Sequence, residues 1–187
     1  KYSFIAIALA VILFIIPFFW LKPEEMDLGG DSNRLYFYDP LSYLLQHTVY
    51  NIVPTGIGGE AISYYAIPYI SLLVLLRAVI SATATISLVN GIKLGAGFYF
   101  CYLLIKELLN TKSEQNKNDI KEISSILSAL FYALSPILVN SGWERAIFSH
   151  MQIFLNPLFF FLVLKFFVLS SKEYLYGLLL LSFVFSM

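Results

Sequence analysis

Four stretches of this chain run for roughly 19–25 residues with almost no charged side chain: Ser3–Leu21, Ser81–Ile105, Ile123–Ser141 and Met151–Leu169. A helix rises about 1.5 Å per residue, so each run makes a rod of about 30 Å, the thickness of the hydrocarbon core of a bilayer. In that core every peptide group must find its partner within the protein, which selects helices for isolated runs. A fifth run opens at Tyr174 and reaches Met187; at about 14 residues it is an incomplete span. Only 13% of the residues are charged and 59% are hydrophobic, against about 25% charged in soluble domains. The expected fold class is all-α, a polytopic transmembrane helical bundle whose partners include membrane lipids. The net charge of zero leaves no basic surface for nucleic acid.

The first run is expected to be a retained anchor rather than a signal peptide. It is longer than a usual signal core, and Phe18-Phe19-Trp20-Leu21-Lys22 follows where a small-residue cleavage site would stand. The chain starts at Lys1 and stops within the fifth apolar run, so residues 1–187 are expected to be the amino-terminal part of one transmembrane domain in a longer protein.

Segment Ala61–Leu76, with Pro68 inside it, is too short for an ordinary span, and loop charge decides its placement. If it does not cross, Lys1, Lys106, Lys112, Lys117, Lys121, Lys165 and Lys172 lie inside, seven against the four outside (Lys22, Arg34, Arg77 and Arg145). If it crosses, only Lys1, Arg77 and Arg145 remain inside. Cytoplasmic loops collect Lys and Arg. The segment is therefore expected to be a juxtamembrane or re-entrant helix in an outer loop, residues 22–80, with the amino terminus cytoplasmic. Residues 106–122 are polar, of mixed charge and without aromatics, and are expected to form a solvated cytoplasmic linker.

The outer loop carries the chemistry. Residues 22–60 hold Glu24, Glu25, Asp27, Asp31, Asp39 and Glu60 against Lys22 and Arg34. In Asp27-Leu28-Gly29-Gly30-Asp31-Ser32 the glycines allow a tight turn that aims both aspartates into one space. Such a carboxylate fits a general base toward a hydroxyl, a ligand of a divalent cation, or an ordinary turn and cap residue. Asp39-Pro40 sets an extended residue before an amphipathic helix, Leu41–Val49, with Pro40 in its first turn. Beside Trp143, Glu144 and Arg145 fit either a lipid head group contact or an interfacial anchor. Lys93 falls midway along Ser81–Ile105, where a charge costs at least about 2.5–3.5 kcal/mol. It is expected to face a cavity or a partner, either contacting an anionic lipid phosphate or else snorkelling or pairing with an acid on another helix, and Gly91, Gly95 and Gly97 around it let a neighbouring helix approach closely. His47 and His150 lack companions at metal-ligand spacing, and Cys101 reads as a small core residue.

These pieces together resemble the GT-C superfamily of membrane glycosyltransferases. Asp27–Pro40 resembles its acidic first-loop motif, and Leu76-Arg77-Ala78 its Arg-led second span. Ala129-Leu130-Phe131-Tyr132-Ala133-Leu134-Ser135-Pro136 resembles a segment of arabinofuranosyltransferase-like and YfhO-like members. Ser141-Gly142-Trp143-Glu144 with Asn156-Pro157-Leu158, and Lys93-Leu94-Gly95-Ala96-Gly97-Phe98-Tyr99, are similar to further stretches there. The resemblance implies an inverting enzyme of a prokaryotic plasma membrane. It would move a sugar from a polyprenyl-phosphate donor to a glycan, lipid or protein acceptor on the outer face. It implies Asp31 as the base, Asp27 second, and Arg34 or Arg77 at the leaving phosphate. The family's adjacent acidic pair is split here, which favours a base over a metal site; a divalent cation is the one cofactor candidate. Two other classes fit the composition, a transporter or flippase of lipid-linked material and a non-catalytic scaffold in envelope assembly. Paired broken spans with midplane polar residues would mark the transporter.

Overall fold

The computed structural model describes residues 2–20, 22, 34–48, 52–53, 59–60, 67–112, 118–135 and 149–185. Helix α4 (Ala82–Lys112) is the axis of the fold, 31 residues and about 46 Å long. Its first turn is capped by Ser81, whose Oγ accepts from Ala84 N at 3.2 Å. Three helices pack along it. Helix α1 (Tyr2–Ile15) runs antiparallel, since Ser3 meets Lys106 while Phe14 lies against Gly91. Helix α5 (Asn118–Ala133) returns antiparallel across the hairpin, with Glu122 against Lys106. Helix α6 (Ser149–Leu169) runs parallel: Phe154 touches Gly97 and Lys165 pairs with Glu107. Helix α7 (Lys172–Phe185) folds back on α6 through Ser170, which takes the left-handed φ of 50° that a sharp reversal needs.

The glycines of α4 serve two partners. A Cβ at Gly95 would lie 2.8 Å from the carbonyl oxygen of Ala10, and one at Gly97 would lie 3.1 Å from that of Phe154. The bare glycine surface is what lets α1 and α6 close onto opposite sides of α4. Helix α1 tightens into a 3-10 turn, Ile16–Phe19, where buried Pro17 has no N–H to give to the α-helical ladder.

The long connection between α1 and α4 folds at the end where α4 begins. A 3-10 turn, Arg34–Phe37, leads into α2 (Pro40–Thr48), and α3 (Ile67–Arg77) follows. A two-residue antiparallel pair, β1 (Ile52–Val53) with β2 (Gly59–Glu60), joins them, and all other regular structure among the described residues is helical. Tyr36, Phe37, Tyr69 and Leu73 form one buried cluster with Ile86 and Val89 of α4, Leu155 of α6 and Leu181 of α7. A second cluster joins Ala6, Leu13, Phe98, Ala129, Ala133 and Phe154.

Two details differ from the sequence reading. Residues 106–112 and 118–122 are helical, extending α4 and α5 rather than forming a solvated linker. Lys, Glu and Leu there are good helix formers, and the Lys106–Glu122 ion pair ties the two extensions. Pro68 does not interrupt a helix; it is the second residue of α3, where its missing N–H costs nothing.

Helix α5 is built inside out. It buries Ile126 together with Ser125, Ala129 and Ala133, three small residues four apart, and turns Leu127 and Phe131 outward, Phe131 being 77% exposed. Large apolar side chains also face outward along α1, α6 and α7, at Phe4, Val11, Phe160, Phe167, Leu180 and Phe183. Among the described residues one helix, Ala82–Asn110, is long and apolar enough to cross a membrane; Ser3–Phe19, Ile67–Arg77 and Phe154–Leu169 are shorter apolar helices.

Candidate functional site

The two ends of α4 present different chemistry. At its start, Asp39 caps α2: Oδ1 accepts from Ser42 N at 3.1 Å, with Pro40 in the first turn as its fixed φ favours. Hydrogen bonds from Ser42, first from its side chain and then from its backbone N–H, hold the exposed Asp39 carboxyl below the usual carboxylate range. Asp39 is thereby committed to the cap. The neighbouring turn is held by Tyr36, buried between the rings of Phe37 and Tyr43 at 4.5 and 5.8 Å. That burial fixes the backbone of Arg34 at the head of the same turn.

Arg77 ends α3. Its Nη1 donates to Ile80 O at 2.5 Å, closing the turn into α4, and its Nε is buried with no hydrogen-bond partner among the described residues. Lys93 is 2% exposed, beside buried Asn90. It lies eleven positions into α4 by number, about 16 Å along the axis from the Arg77 turn, so these two cations do not share one pocket. Asp27, Asp31, Glu144 and Arg145 lie outside the described residues, and Arg34 is described by its backbone alone.

At the far end of α4 the structure assembles a polar network that the linker reading missed. The Tyr102 hydroxyl donates to Glu122 Oε2 at 2.6 Å and lies 3.4 Å from Ser3 Oγ. Lys106 Nζ donates to the Tyr102 oxygen at 3.1 Å and to Ser3 Oγ at 3.2 Å, and pairs with Glu122. Partial burial raises the Glu122 carboxyl, but hydrogen bonds from Lys106 and Tyr102 outweigh it, so its pKa is lowered overall. At the next residue of α4, Glu107 Oε1 stands 2.7 Å from Lys165 Nζ of α6. Ser3, Tyr102, Lys106, Glu107 and Lys165 line a cavity of about 290 Å³ between α1, α4 and α6. A partial signal for the helix was in the sequence, since Leu108 and Leu109 continue the apolar helical spacing of Leu104 and Ile105 and leave Tyr102 and Lys106 one turn apart, but nothing in it named Glu122 as their partner.

No group of three or more His, Cys, Asp or Glu side chains able to hold a metal ion occurs among the described residues. The described part of the site therefore consists of capping, ion-pair and aromatic groups at two ends of one long helix. No family model, curated protein or solved structure matches this chain.

Proposed function

We propose that the chain is embedded in a membrane as a polytopic bundle and acts as a GT-C-type glycosyltransferase on the outer face. The inside-out α5 supports the embedding. A helix in water would bury Leu127 and Phe131 and expose Ser125, whereas lipid reverses the preference and rewards close packing of small residues. Helix directions support the topology. The end of α1 and the start of α4 lie together, so the connection between them leaves and returns on one face; α3, about 16 Å long, is half of a crossing. Lys106, Lys121 and Lys165 gather at the opposite end, the cytoplasmic one by the loop-charge rule.

The observation that carries the functional reading is the folded platform of Tyr36, Phe37, Tyr69 and Leu73 against Ile86 and Val89. It supports the reading by holding the segment that follows Asp27–Ser32 against the start of α4, the end that the proposed topology puts at the outer surface, where a lipid-linked donor would present its phosphate. In the proposed reaction Asp31 takes the proton of the acceptor hydroxyl. The acceptor oxygen attacks the anomeric carbon, the bond from that carbon to the phosphate oxygen breaks, and the polyprenyl phosphate leaves from the opposite face, inverting the centre. Arg34 and Arg77 stabilise the leaving phosphate, Asp27 assists the base, and Glu144 and Arg145 contact the lipid-linked donor, while Lys93 is enclosed within the bundle. Asp31→Asn in the full-length protein is expected to lower transfer from a polyprenyl-phosphate sugar by about 100-fold or more. Unchanged transfer removes Asp31 as the base.

A further inference from the structure

The polar cavity at the Lys106 end does not stand alone. Tyr99 lines both that cavity and a second, apolar groove of about 490 Å³ between α1 and α4. The groove is bounded by Ile7, Val11, Phe14, Gly95 and Phe100 and opens outward through the apolar surface. From Lys106 to Ile92 the two together extend about 21 Å along α4, a head group plus the depth of one leaflet. The polar part holds two cations, each already balanced by an acid, Lys106 by Glu122 and Lys165 by Glu107. An anionic head group would leave surplus negative charge there. A zwitterion exchanges partners one for one, its phosphate taking Lys165 and its ammonium taking Glu107. The Lys165 and Glu107 side chains are 20% and 27% exposed, open enough to be reached.

We propose that these two adjacent cavities, which share Tyr99 in their walls, seat one phosphatidylethanolamine of the cytoplasmic leaflet, its head group between Lys165 and Glu107 and one acyl chain along the groove between α1 and α4. This rests on the membrane-embedded topology proposed above and not on the transfer reaction.

The test is lipid binding by the delipidated full-length protein, followed by native mass spectrometry with phosphatidylethanolamine, phosphatidylglycerol and free phosphoethanolamine as probes. One phosphatidylethanolamine is expected to bind. Lys165→Gln weakens it about tenfold, the loss of one charge-assisted hydrogen bond, and Lys165→Arg keeps it. Val11→Trp, which fills the groove from its exposed side, weakens it as well, while Leu127→Trp on the outer face of α5 does not. Equal binding by Val11→Trp and the parent, equal binding of phosphatidylglycerol, or a protein helix found in the groove overturns the proposal, as does free phosphoethanolamine binding as tightly as the lipid. Release of the protein from membranes by alkaline carbonate overturns the topology itself. Retention in the membrane without a lipid adduct overturns this inference alone.

Discussion

Lys106 on α4 and Glu122 on α5 form an ion pair that closes the α4–α5 hairpin, with the Tyr102 hydroxyl hydrogen-bonded to both. Their side chains are 30% and 18% exposed, so the pair is only partly screened. Removing the Glu122 charge leaves Lys106 with a neutral acceptor in a half-buried place. Glu122→Gln is expected to cost about 1–2 kcal/mol, read as a lower Tm in detergent.

The same pair sets a pH dependence. The Glu122 carboxyl titrates below its ordinary value in the folded protein. A group whose pKa is depressed by folding stabilises above its unfolded value, near 4.3, and loses that contribution as pH falls through the folded value. The Tm of the parent protein is expected to fall across this acid window, and that of Glu122→Gln to fall less. Parallel curves would show that Glu122 is not the linked group.

Two glycines of similar appearance should respond oppositely to a methyl group. At Gly95 the new Cβ meets Ala10 O at 2.8 Å and the Phe14 Cβ at 2.8 Å, so α1 must move away. Gly95→Ala is expected to destabilise by about 1–3 kcal/mol. At Gly177 the nearest atoms are the flexible ends of Leu162, at 3.4 and 3.6 Å. Gly177→Ala is expected to be neutral or to stabilise by up to about 1 kcal/mol through helix propensity. Thermal unfolding of the two variants side by side checks the pair.

Helix α5 offers a test of its surroundings. Ala129→Leu overpacks a fully buried site and is expected to cost about 1–3 kcal/mol. Phe131→Leu, at a position that faces outward, is expected to change little, while Phe131→Lys opposes insertion by about 2.5–3.5 kcal/mol. Equal tolerance of Leu and Lys at Phe131 in a membrane-integration assay would place that face in water.

Much of this was readable from residue order. The apolar runs located α1, α4, α5, α6 and α7, and Asp39-Pro40 marked the start of α2, because burial and capping are decided locally. Gly91, Gly95 and Gly97 announced a close approach, though only the structure divides them between α1 and α6, since partner choice depends on direction. The Tyr102–Lys106–Glu122 network was hidden because polar residues beyond an apolar run look like linker until a second helix supplies the partner. Asp27 and Asp31 lie outside the described residues, so their pairing rests on the sequence alone.

The topology is the claim on which the rest depends, and thiol access tests it most directly. In a Cys101→Ala background, Asn116→Cys and Ser32→Cys are placed singly and intact cells are treated with a membrane-impermeant maleimide. Labelling of Ser32→Cys from outside, with Asn116→Cys protected until the cells are permeabilised, is the predicted result. Labelling of Asn116→Cys in intact cells would contradict it.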